Sequence, residues 1–428
     1  MKRTFIHLAF SSCIGLALVC IIAAGCGSNV PGSRKSSLHK AGEPGSDALS
    51  IRVTESESVL NRVAGSDIAC SCRTESDSAS SCGSLRLSYE PFEGALRHSF
   101  TIATYSRSST PIVHTRLEWN GFTAYGEAAM PQYLGETVES CSAFLDRVAC
   151  EVLPFVKDPT DISSVMGAVD SLADGNKAAK ASVDIALHDL LGKIEGQPLW
   201  KMWDIDSSAT PCTSFTIGYD ESDSVVLEKV AEASWAKILK VKLGMGEEKD
   251  KRMINLVRSA SDVPIYVDAN QGWKSKEEAL AMIKWLAGQG VVLVEQPMAK
   301  ELVREHRWIR RRSPLPIIAD EACQRLEDIP RLKGVYDGIN IKLMKCTGLC
   351  EARRMIALAR ELDMQVMLGC MTETSVGISA AAQLSSLVDY ADLDGNVLLS
   401  NDNFRGVGLS NGRLILNGLP GIGAVPAE

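Results

Sequence analysis

The sequence predicts an α/β fold in which the second half of the 428-residue chain forms a barrel of eight parallel strands and intervening helices, (β/α)8. Two observations predict it. After residue 210, short apolar runs bounded by polar turns recur about every 25 residues, and segments with a helical pattern separate them. Nearly every run also ends in a polar or ionisable residue, as expected where barrel strands present their carboxyl ends to a functional site.

The eight apolar runs follow one another in regular order. They are 214–218, 238–243, 264–268, 291–295, 316–320, 338–342, 365–369 and 390–394. The segment after the third run shows how the helices are delimited, because Ser275 and Glu278 have the spacing of a capping box ahead of an apolar-periodic stretch. A strand that alternates with a helix eight times is typical of a (β/α)8 barrel.

Three consecutive predicted strands end in the carboxylates Asp268, Glu295 and Asp320. One acidic strand end alone could equally be a helix cap or a turn, but charged ends on consecutive strands favour a shared site. Three anionic groups held close together repel one another unless a hard dication lies between them, and Mg²⁺ prefers such oxygen ligands. Since no histidine lies in these motifs, the sequence predicts a magnesium site.

Lysines flank the three carboxylates. Lys240 and Lys242 are two residues apart and therefore point to the same face of their strand, and apolar residues alternate with them as on a buried strand and not on a solvated edge. Lys342 ends the strand after Asp320. A partly desolvated lysine near a dication should have its pKa lowered from about 10.4 toward neutrality. Two such lysines on opposite faces of one carbon could remove a proton and return it on the other side.

Composition and the N-terminus limit the location and the partners. With 45 Lys plus Arg against 53 Asp plus Glu, a net charge of −8 and no basic block, the chain offers no positively charged surface for binding nucleic acid.

The N-terminal residues resemble a targeting segment. Lys2 and Arg3 precede an interrupted apolar run that ends before Cys26. This pattern predicts a lipoprotein-type signal peptide over 1–25 with Cys26 lipidated, and an extracytoplasmic location in the periplasm or cell envelope. An ordinary signal peptide and a short membrane anchor are the alternatives.

Residues 26–84 are rich in Ser, Gly and acidic residues and predict a linker. Cys70, Cys72 and Cys82 lie within it. A local disulfide and, less favoured because no histidine accompanies the group, a zinc site both stay open.

The strand-end motifs resemble those of one family. The muconate-lactonizing subgroup of the enolase superfamily has motifs similar to Lys-Val-Lys-Leu (240–243), Val-Asp-Ala-Asn-Gln-Gly-Trp (267–273), Val-Glu-Gln-Pro (294–297), Ala-Asp-Glu (319–321), Ile-Asn-Ile-Lys-Leu-Met-Lys (339–345) and Gly-Cys-Met-Thr-Glu-Thr (369–374). Asp392-Leu393-Asp394 is similar to the Asp-x-Asp motif of its dipeptide epimerases. The resemblance covers residues 85–428.

This resemblance implies an isomerase that inverts the Cα of the C-terminal residue of a dipeptide, such as L-Ala-D/L-Glu, by two-base proton transfer through an enolate. Lys242 and Lys342 would be the acid/base lysines. One Mg²⁺ per subunit would be held by Asp268, Glu295 and Asp320. The implied substrate-binding residues are Lys240, Thr216, Cys370, Met371, Thr372, Asp392, Asp394 and Arg107.

Within that set, Lys240 would hold the substrate carboxylate and stabilise the enolate. Asp392 and Asp394 would hold the dipeptide's α-ammonium group, unless they lie in a solvated loop. Arg107 is the candidate for a glutamate side chain, because a guanidinium recognises a carboxylate in a bidentate manner.

The resemblance also divides the chain. Residues 85–207 would form an α+β capping domain, 208–400 a modified TIM barrel, and 401–428 a segment that returns to the capping domain. Strands are expected at 99–103, 111–118 and 126–128, and a helix at 177–193. Loops over 101–110 would close over the barrel mouth. His188 and Asp189 are interpreted as structural, and Cys346, Cys350 and Cys370 as core or pocket lining.

Two rival functions stay open, as does association into a homo-oligomer. One is another reaction of the superfamily: muconate cycloisomerisation, o-succinylbenzoate synthesis or N-acylamino-acid racemisation. Those substrates carry no free α-ammonium group, so Asp392 and Asp394 argue against them. The other is a non-catalytic lipoprotein that binds peptides, against which the complete set of charged strand ends argues.

Overall fold

The computed structural model describes residues 84–427 except 104 and 131. The predicted signal peptide, almost all of the linker, the lipidation site Cys26 and the cysteines Cys70, Cys72 and Cys82 lie outside the described residues. Among the helices that are described, none combines the length and the apolar character needed to cross a bilayer.

The N-terminal part is an antiparallel sheet covered by helices. The strands are β1 (Arg86–Thr101), β2 (Ser106–Trp119) and β3 (Phe122–Ala129), and the helices α1 (Val138–Arg147), α2 (Ile162–Leu172), α3 (Lys177–Ile194) and α4 (Leu199–Met202). Asn120 and Gly121 both have positive φ, 49° and 84°, as in the tight turns that match the twist of a hairpin. The expected α+β arrangement is therefore present.

Two local predictions in this sheet were wrong. The first strand begins at Arg86 and not at 99, because its alternation of exposed and half-buried residues was not recognised. Residues 106–110 were expected in a loop but belong to β2, where Ser106 and Arg107 pair with Thr101 and Phe100 across the sheet. The loop over the barrel mouth is thus short, and Arg107 projects from a strand.

Gly126 permits the close approach of β3 and α3. A Cβ at this position would lie 1.9 Å from the carbonyl oxygen of Ser182, which is part of a buried helix backbone that cannot yield. We expect Gly126→Ala to lower the free energy of unfolding by about 3 kcal/mol, measured by urea denaturation. Gly167→Ala on α2, where nothing lies within 4 Å of the added atom, is the control and should raise stability by about 1 kcal/mol. Equal effects would contradict this packing argument.

The barrel follows. Its strands are β4 (Phe215–Ile217), β5 (Leu239–Lys242), β6 (Ile265–Asp268), β7 (Val291–Glu295), β8 (Ile317–Ala319), β9 (Gly338–Ile341), β10 (Gln365–Gly369) and β11 (Tyr390–Asp392). They pair in parallel in chain order, and a bridge between Thr213 and Ala391 joins the last strand to the first. The predicted fold class is confirmed, and all eight predicted strands are present.

Helices connect these strands on the outside of the barrel. They are α5 (Asp223–Glu232), α6 (Glu247–Ala260), α7 (Lys276–Ala287), α8 (Val303–Arg310), α9 (Ile329–Leu332), α10 (Leu349–Glu361) and α11 (Ser375–Ala382). The predicted cap of α7 is present, since Ser275 Oγ accepts from the Glu278 amide at 3.1 Å. The carboxylate of Glu278 accepts from the Lys274 amide at 2.9 Å.

The expected eighth helix is absent from the described part of the chain, which has no helix between β11 and residue 427. The polar, glycine-rich sequence after 400 has no apolar helical period and forms short strands instead: β12 (Phe404–Arg405), β13 (Gly408–Ser410), β14 (Arg413–Ile415) and β15 (Val425–Pro426). This tail contacts the N-terminal part, because Leu199 donates its amide to Gly421 at 3.1 Å and Ile422 donates to Asp189 Oδ1 at 3.0 Å.

Candidate active site

The carboxyl ends of the barrel strands open into one cavity of about 340 Å³, which the first two strands of the N-terminal sheet and the segment after its third strand partly cover. Its lining residues are Phe100, Ile102, Tyr105, Arg107, Tyr133, Thr216, Lys240, Lys242, Asn270, Gln271, Asp320, Glu321, Lys342, Cys370, Met371, Thr372, Asp392, Asp394 and Leu398. Every predicted site residue is in this set except Asp268 and Glu295, which are fully buried and contact the lysines that line it.

The three predicted metal-binding carboxylates lie together. Asp268 and Glu295 pair across β6 and β7, and Asp320 directly follows β8. One oxygen of each lies within 4.8 Å of the others, and all three residues are at most 1% exposed. Burial, and then the negative charges of Asp268 and Asp320, raises the pKa of Glu295 to about 7. Three hard oxygen donors in so small a buried space fit Mg²⁺, which would offset their repulsion.

Lys240 links this carboxylate cluster to the last strand. Its Nζ lies 2.7 Å from Glu295 Oε2, 2.6 Å from Asp392 Oδ2 and 3.5 Å from Asp268 Oδ2. Burial by itself lowers the pKa of Lys240, but these carboxylates outweigh it and hold the pKa well above its usual value. Lys240 therefore stays cationic and can attract a substrate carboxylate, but it is unsuited to remove a proton.

Lys242 and Lys342 approach the cluster from different strands. Lys242 Nζ lies 2.7 Å from Asp268 Oδ2, and Lys342 Nζ lies 2.8 Å from Asp320 Oδ2. Burial lowers the pKa of Lys342, but the Asp320 carboxylate outweighs burial and raises the pKa well above its ordinary value. The lowered pKa expected for a lysine beside bound Mg²⁺ stays a prediction. A dication on Asp320 would offset that charge, which is the change that lets the amine lose its proton.

The Asp-x-Asp pair is less symmetrical than the sequence suggested. Asp392 is already satisfied by Lys240 and by Ser214 Oγ, which donates to its Oδ1 at 2.6 Å. Asp394 accepts from the amide of Thr216 at 2.6 Å and from the Thr216 side chain. Burial and the neighbouring Asp392 charge raise the pKa of Asp394 to about 6, and within the described residues Asp394 makes no ion pair, whereas Asp392 pairs with Lys240. Asp394 is therefore the better placed of the two to receive an ammonium group.

Arg107 reaches the cavity from β2, half-buried. It donates from Nη1 to Thr110 at 2.8 Å and from Nη2 to Thr372 at 2.9 Å, while Nε has no hydrogen-bond partner in the described residues. Burial lowers its pKa. The rings of Phe100 and Tyr105 lie 5.7 and 5.9 Å from its guanidinium carbon. A guanidinium held by hydroxyls alone can still pair with a carboxylate.

Strand β9 and the segment that follows it supply two site residues to which the sequence analysis gave no role. Lys345 Nζ contacts Asp320 Oδ1 and donates to its backbone oxygen at 2.8 Å, and Asn340 Nδ2 donates to Glu295 Oε1 at 2.8 Å. Both lie in the Asn-Ile-Lys-Leu-Met-Lys motif, so the signal was present. Each orients one of the three carboxylates.

Other lining residues were missed for lack of a sequence signal. Phe100, Tyr105 and Tyr133 come from the N-terminal sheet and the segment after it, where no motif marks them. Glu321 differs from these three, because it lies in the Ala-Asp-Glu motif (319–321) and the sequence therefore did carry a signal for it. Burial and the charge of Asp320 raise its pKa to about 8, and its Oε2 has no hydrogen bond in the described residues.

Fold and site together define a class: metal-dependent barrel enzymes that move a proton at a carbon beside a carboxylate. Residues 225–428 match the family model "Enolase C-terminal domain-like", and 92–203 match "Mandelate racemase / muconate lactonizing enzyme, N-terminal domain". A relative from Bacteroides thetaiotaomicron, named L-Ala-D/L-Glu epimerase, is 53% identical over 343 residues, 80% of this chain and 88% of the relative. The chain therefore belongs to the mandelate racemase/muconate lactonizing enzyme family of the enolase superfamily, which confirms the resemblance.

Solved structures of dipeptide epimerases have a fold similar to that of this chain. A substrate-liganded L-Ala-D/L-Glu epimerase from Bacillus subtilis superimposes with a TM-score of 0.75 at 27% identity, covering 81% of this chain and 99% of that one. A dipeptide epimerase from Enterococcus faecalis V583, complexed with Mg and L-Leu-L-Tyr, gives a TM-score of 0.74 at 30% identity, covering 80% and 99%.

Proposed function

We propose that the protein is a Mg²⁺-dependent dipeptide epimerase that inverts the Cα of the C-terminal residue, with L-Ala-D/L-Glu as the leading substrate. One observation carries this: Lys242 on β5 and Lys342, directly after β9, face the same cavity. In the order β5-β6-β7-β8-β9 they are four strands apart, which is half the circumference of an eight-stranded barrel. A carbon held between them is accessible to an amine from either side.

Each charged residue of the cavity has a separate role in the proposed reaction. Asp268, Glu295 and Asp320 would hold the metal ion, which polarises the substrate carboxylate and so stabilises the charge that develops at Cα. Lys240 adds a fixed positive charge next to that carboxylate. One of Lys242 and Lys342 accepts the Cα proton, and the other returns a proton to the opposite face. Asp394 holds the free α-ammonium group at the other end of the dipeptide.

The names of the relatives support this assignment. The Bacteroides relative and the Bacillus structure are L-Ala-D/L-Glu epimerases, and the Enterococcus structure contains Mg and a dipeptide. The direct test is incubation of purified protein and Mg²⁺ with L-Ala-L-Glu and a dipeptide panel in D₂O. Deuterium at Cα of the C-terminal residue, together with formation of its epimer, is expected. No α-deuterium in any dipeptide would refute the proposal and favour a non-catalytic peptide-binding protein.

Asp394→Asn should separate dipeptide epimerisation from the rival reactions of the family. Loss of the charge that meets the α-ammonium group should lower kcat/KM for L-Ala-L-Glu by about 10²-fold or more. The amide is isosteric and can still accept from Thr216. N-acetylated L-Ala-L-Glu, which has no ammonium group, serves as the matched substrate and should show no comparable loss. An unchanged dipeptide rate would favour N-acylamino-acid racemisation or another rival.

Arg107 sets the preference for an acidic side chain. Arg107→Met should lower kcat/KM for L-Ala-L-Glu roughly tenfold to a hundredfold, because a charged hydrogen-bonded pair is lost, and should leave L-Ala-L-Leu nearly unaffected. Arg116→Met on the same strand, half-exposed and paired with Glu118, is the control. Equal losses on both dipeptides would show that Arg107 supports the cavity wall through Thr110 and Thr372 and does not choose the substrate.

We further propose that the enzyme works in the cell envelope, tethered through Cys26. The support is the charged, apolar and small-residue pattern of residues 1–26 and the origin of L-Ala-Glu in cell-wall peptides. Cys26→Ser should release the protein from the membrane fraction of the producing cell. Equal fractionation of the two proteins would contradict the lipid anchor.

A further inference from the structure

A second cluster of metal-ligating side chains lies away from the cavity, where a helix of the N-terminal part packs against a barrel helix. Asp184 and His188 are one turn apart on α3, and Cys350 is the second residue of α10. One ligand atom from each lies within 4.8 Å of the others. Cys350 does not line the active-site cavity but packs against the hydrophobic core, which is one of the two places that the sequence predicted for it.

The imidazole is oriented as in metal sites. His188 Nδ1 donates to the backbone oxygen of Asp184 at 2.8 Å, which leaves Nε2 facing Cys350 Sγ at 3.9 Å. Metal-ligating histidines usually donate their other ring nitrogen to a carbonyl or a carboxylate, since this fixes the ring and its tautomer. A tetrahedral ion bound by both atoms needs a nitrogen-to-sulfur separation of about 3.5 Å, only slightly shorter than the one observed.

The carboxylate is fixed and still has free acceptor capacity. Asp184 Oδ2 accepts from the amide of Leu349 at the start of α10, Oδ1 lies 3.4 Å from the amide of Cys350, and the carboxylate also interacts with the Cys350 thiol. Asp184 is fully buried and His188 is 4% exposed, but Cys350 is partly exposed and provides a route from solvent. Asp184 Oδ2 also lies 3.4 Å from His188 Nδ1, so the buried carboxylate is already in contact with the imidazole.

We propose that Asp184, His188 and Cys350 form a site for a borderline-soft divalent cation of the Zn²⁺ type, with water as the fourth ligand. Oxygen, nitrogen and sulfur donors in one set suit such an ion and not Mg²⁺. On binding, the Cys350 thiol gives its proton to solvent, His188 Nε2 binds the ion in its unprotonated form, and the ion places positive charge beside Asp184. Because its ligands come from α3 and α10, the ion clamps the N-terminal part to the barrel.

The first test is titration of the full-length protein with Co²⁺ in excess Mg²⁺, so that the active-site carboxylates are occupied. Coordination by Cys350 gives thiolate-to-cobalt charge-transfer absorption, which carboxylates cannot give. We expect Cys350→Ser and His188→Gln each to bind one cobalt equivalent less than the parent. Cys212→Ser, a partly exposed cysteine near Asn411, is the matched control and should retain the parent's stoichiometry. An unchanged absorption in Cys350→Ser would overturn the proposal.

A second measurement uses stability. At Zn²⁺ concentrations about a hundredfold above the dissociation constant, an ion that binds only the folded state should raise the unfolding midpoint by about 4 °C for a domain of roughly 340 residues. The rise should vanish in Cys350→Ser and persist in Cys212→Ser. Quenching of tryptophan emission by Co²⁺ is expected to follow the same pattern, since the Trp203 ring lies 5.6 Å from His188. A rise of equal size in Cys350→Ser would place the ion elsewhere.

Discussion

Lys342→Ala is expected to lower the rate of epimerisation of L-Ala-L-Glu by about 10³-fold, the range for loss of a positioned acid or base. The reason is geometric: Lys342 lies half the barrel circumference from Lys242, so neither amine can reach the face of Cα that the other serves. Proton exchange with D₂O should survive for the one stereoisomer whose Cα proton faces Lys242. Epimerisation is measured by circular dichroism and exchange by mass spectrometry.

Lys242→Ala provides the mirror experiment, with exchange kept only for the other stereoisomer. Lys284→Ala, an exposed lysine on α7, is the control for the loss of one ammonium group and should be fully active. Retained exchange for both stereoisomers in either active-site variant would mean that a single base serves both faces.

Asp320→Asn is expected to remove Mg²⁺ binding at micromolar to millimolar concentrations and to lower kcat by more than about 10³-fold, since the metal contributes several kcal/mol to stabilising the reacting charge. The change takes one negative charge from the carboxylate cluster and weakens the pairing of two buried ammonium groups, Lys342 and Lys345. Calorimetric titration with Mg²⁺ measures the binding directly.

Unpaired buried charges also reduce stability, by about 3 to 5 kcal/mol for a broken buried pair. Circular dichroism must therefore show that Asp320→Asn is folded before the titration is interpreted. Glu277→Gln, an exposed acid on α7, is the matched control and should bind Mg²⁺ like the parent. Normal Mg²⁺ affinity in folded Asp320→Asn would exclude this carboxylate as a ligand.

The barrel was predictable because its information is local and repeated. Each strand is a short apolar run, and each ends in a residue whose chemistry stands out, as in the intervals from Lys242 to Asp268 to Glu295. The N-terminal sheet lacks such repetition. β1 alternates exposed and half-buried residues over a long stretch, and its pairing with residues 106–110 depends on a partner that the local sequence does not specify.

The residues that line the cavity could be predicted from the same repeated strand-end pattern. Which of their charges pair with one another could not. The sequence placed Lys240 and Asp392 on the same face of the barrel but assigned both to the substrate. The structure brings Lys240 Nζ within 2.6 Å of Asp392, which leaves Asp394 as the carboxylate open to an ammonium group. The pKa of Lys342 likewise depends on its 2.8 Å contact with Asp320, a residue at the end of the neighbouring strand β8.

The sequence by itself determined the barrel, the carboxylate trio and the flanking lysines, because strand periodicity and strand-end chemistry are properties of short segments. Only the tertiary structure decided which of these charges neutralise one another, that Arg107 projects from a strand into the cavity, and that Cys350 meets His188, 162 positions away in the chain. Contacts between distant segments depend on how helices and strands pack, and packing is settled by the whole core at once.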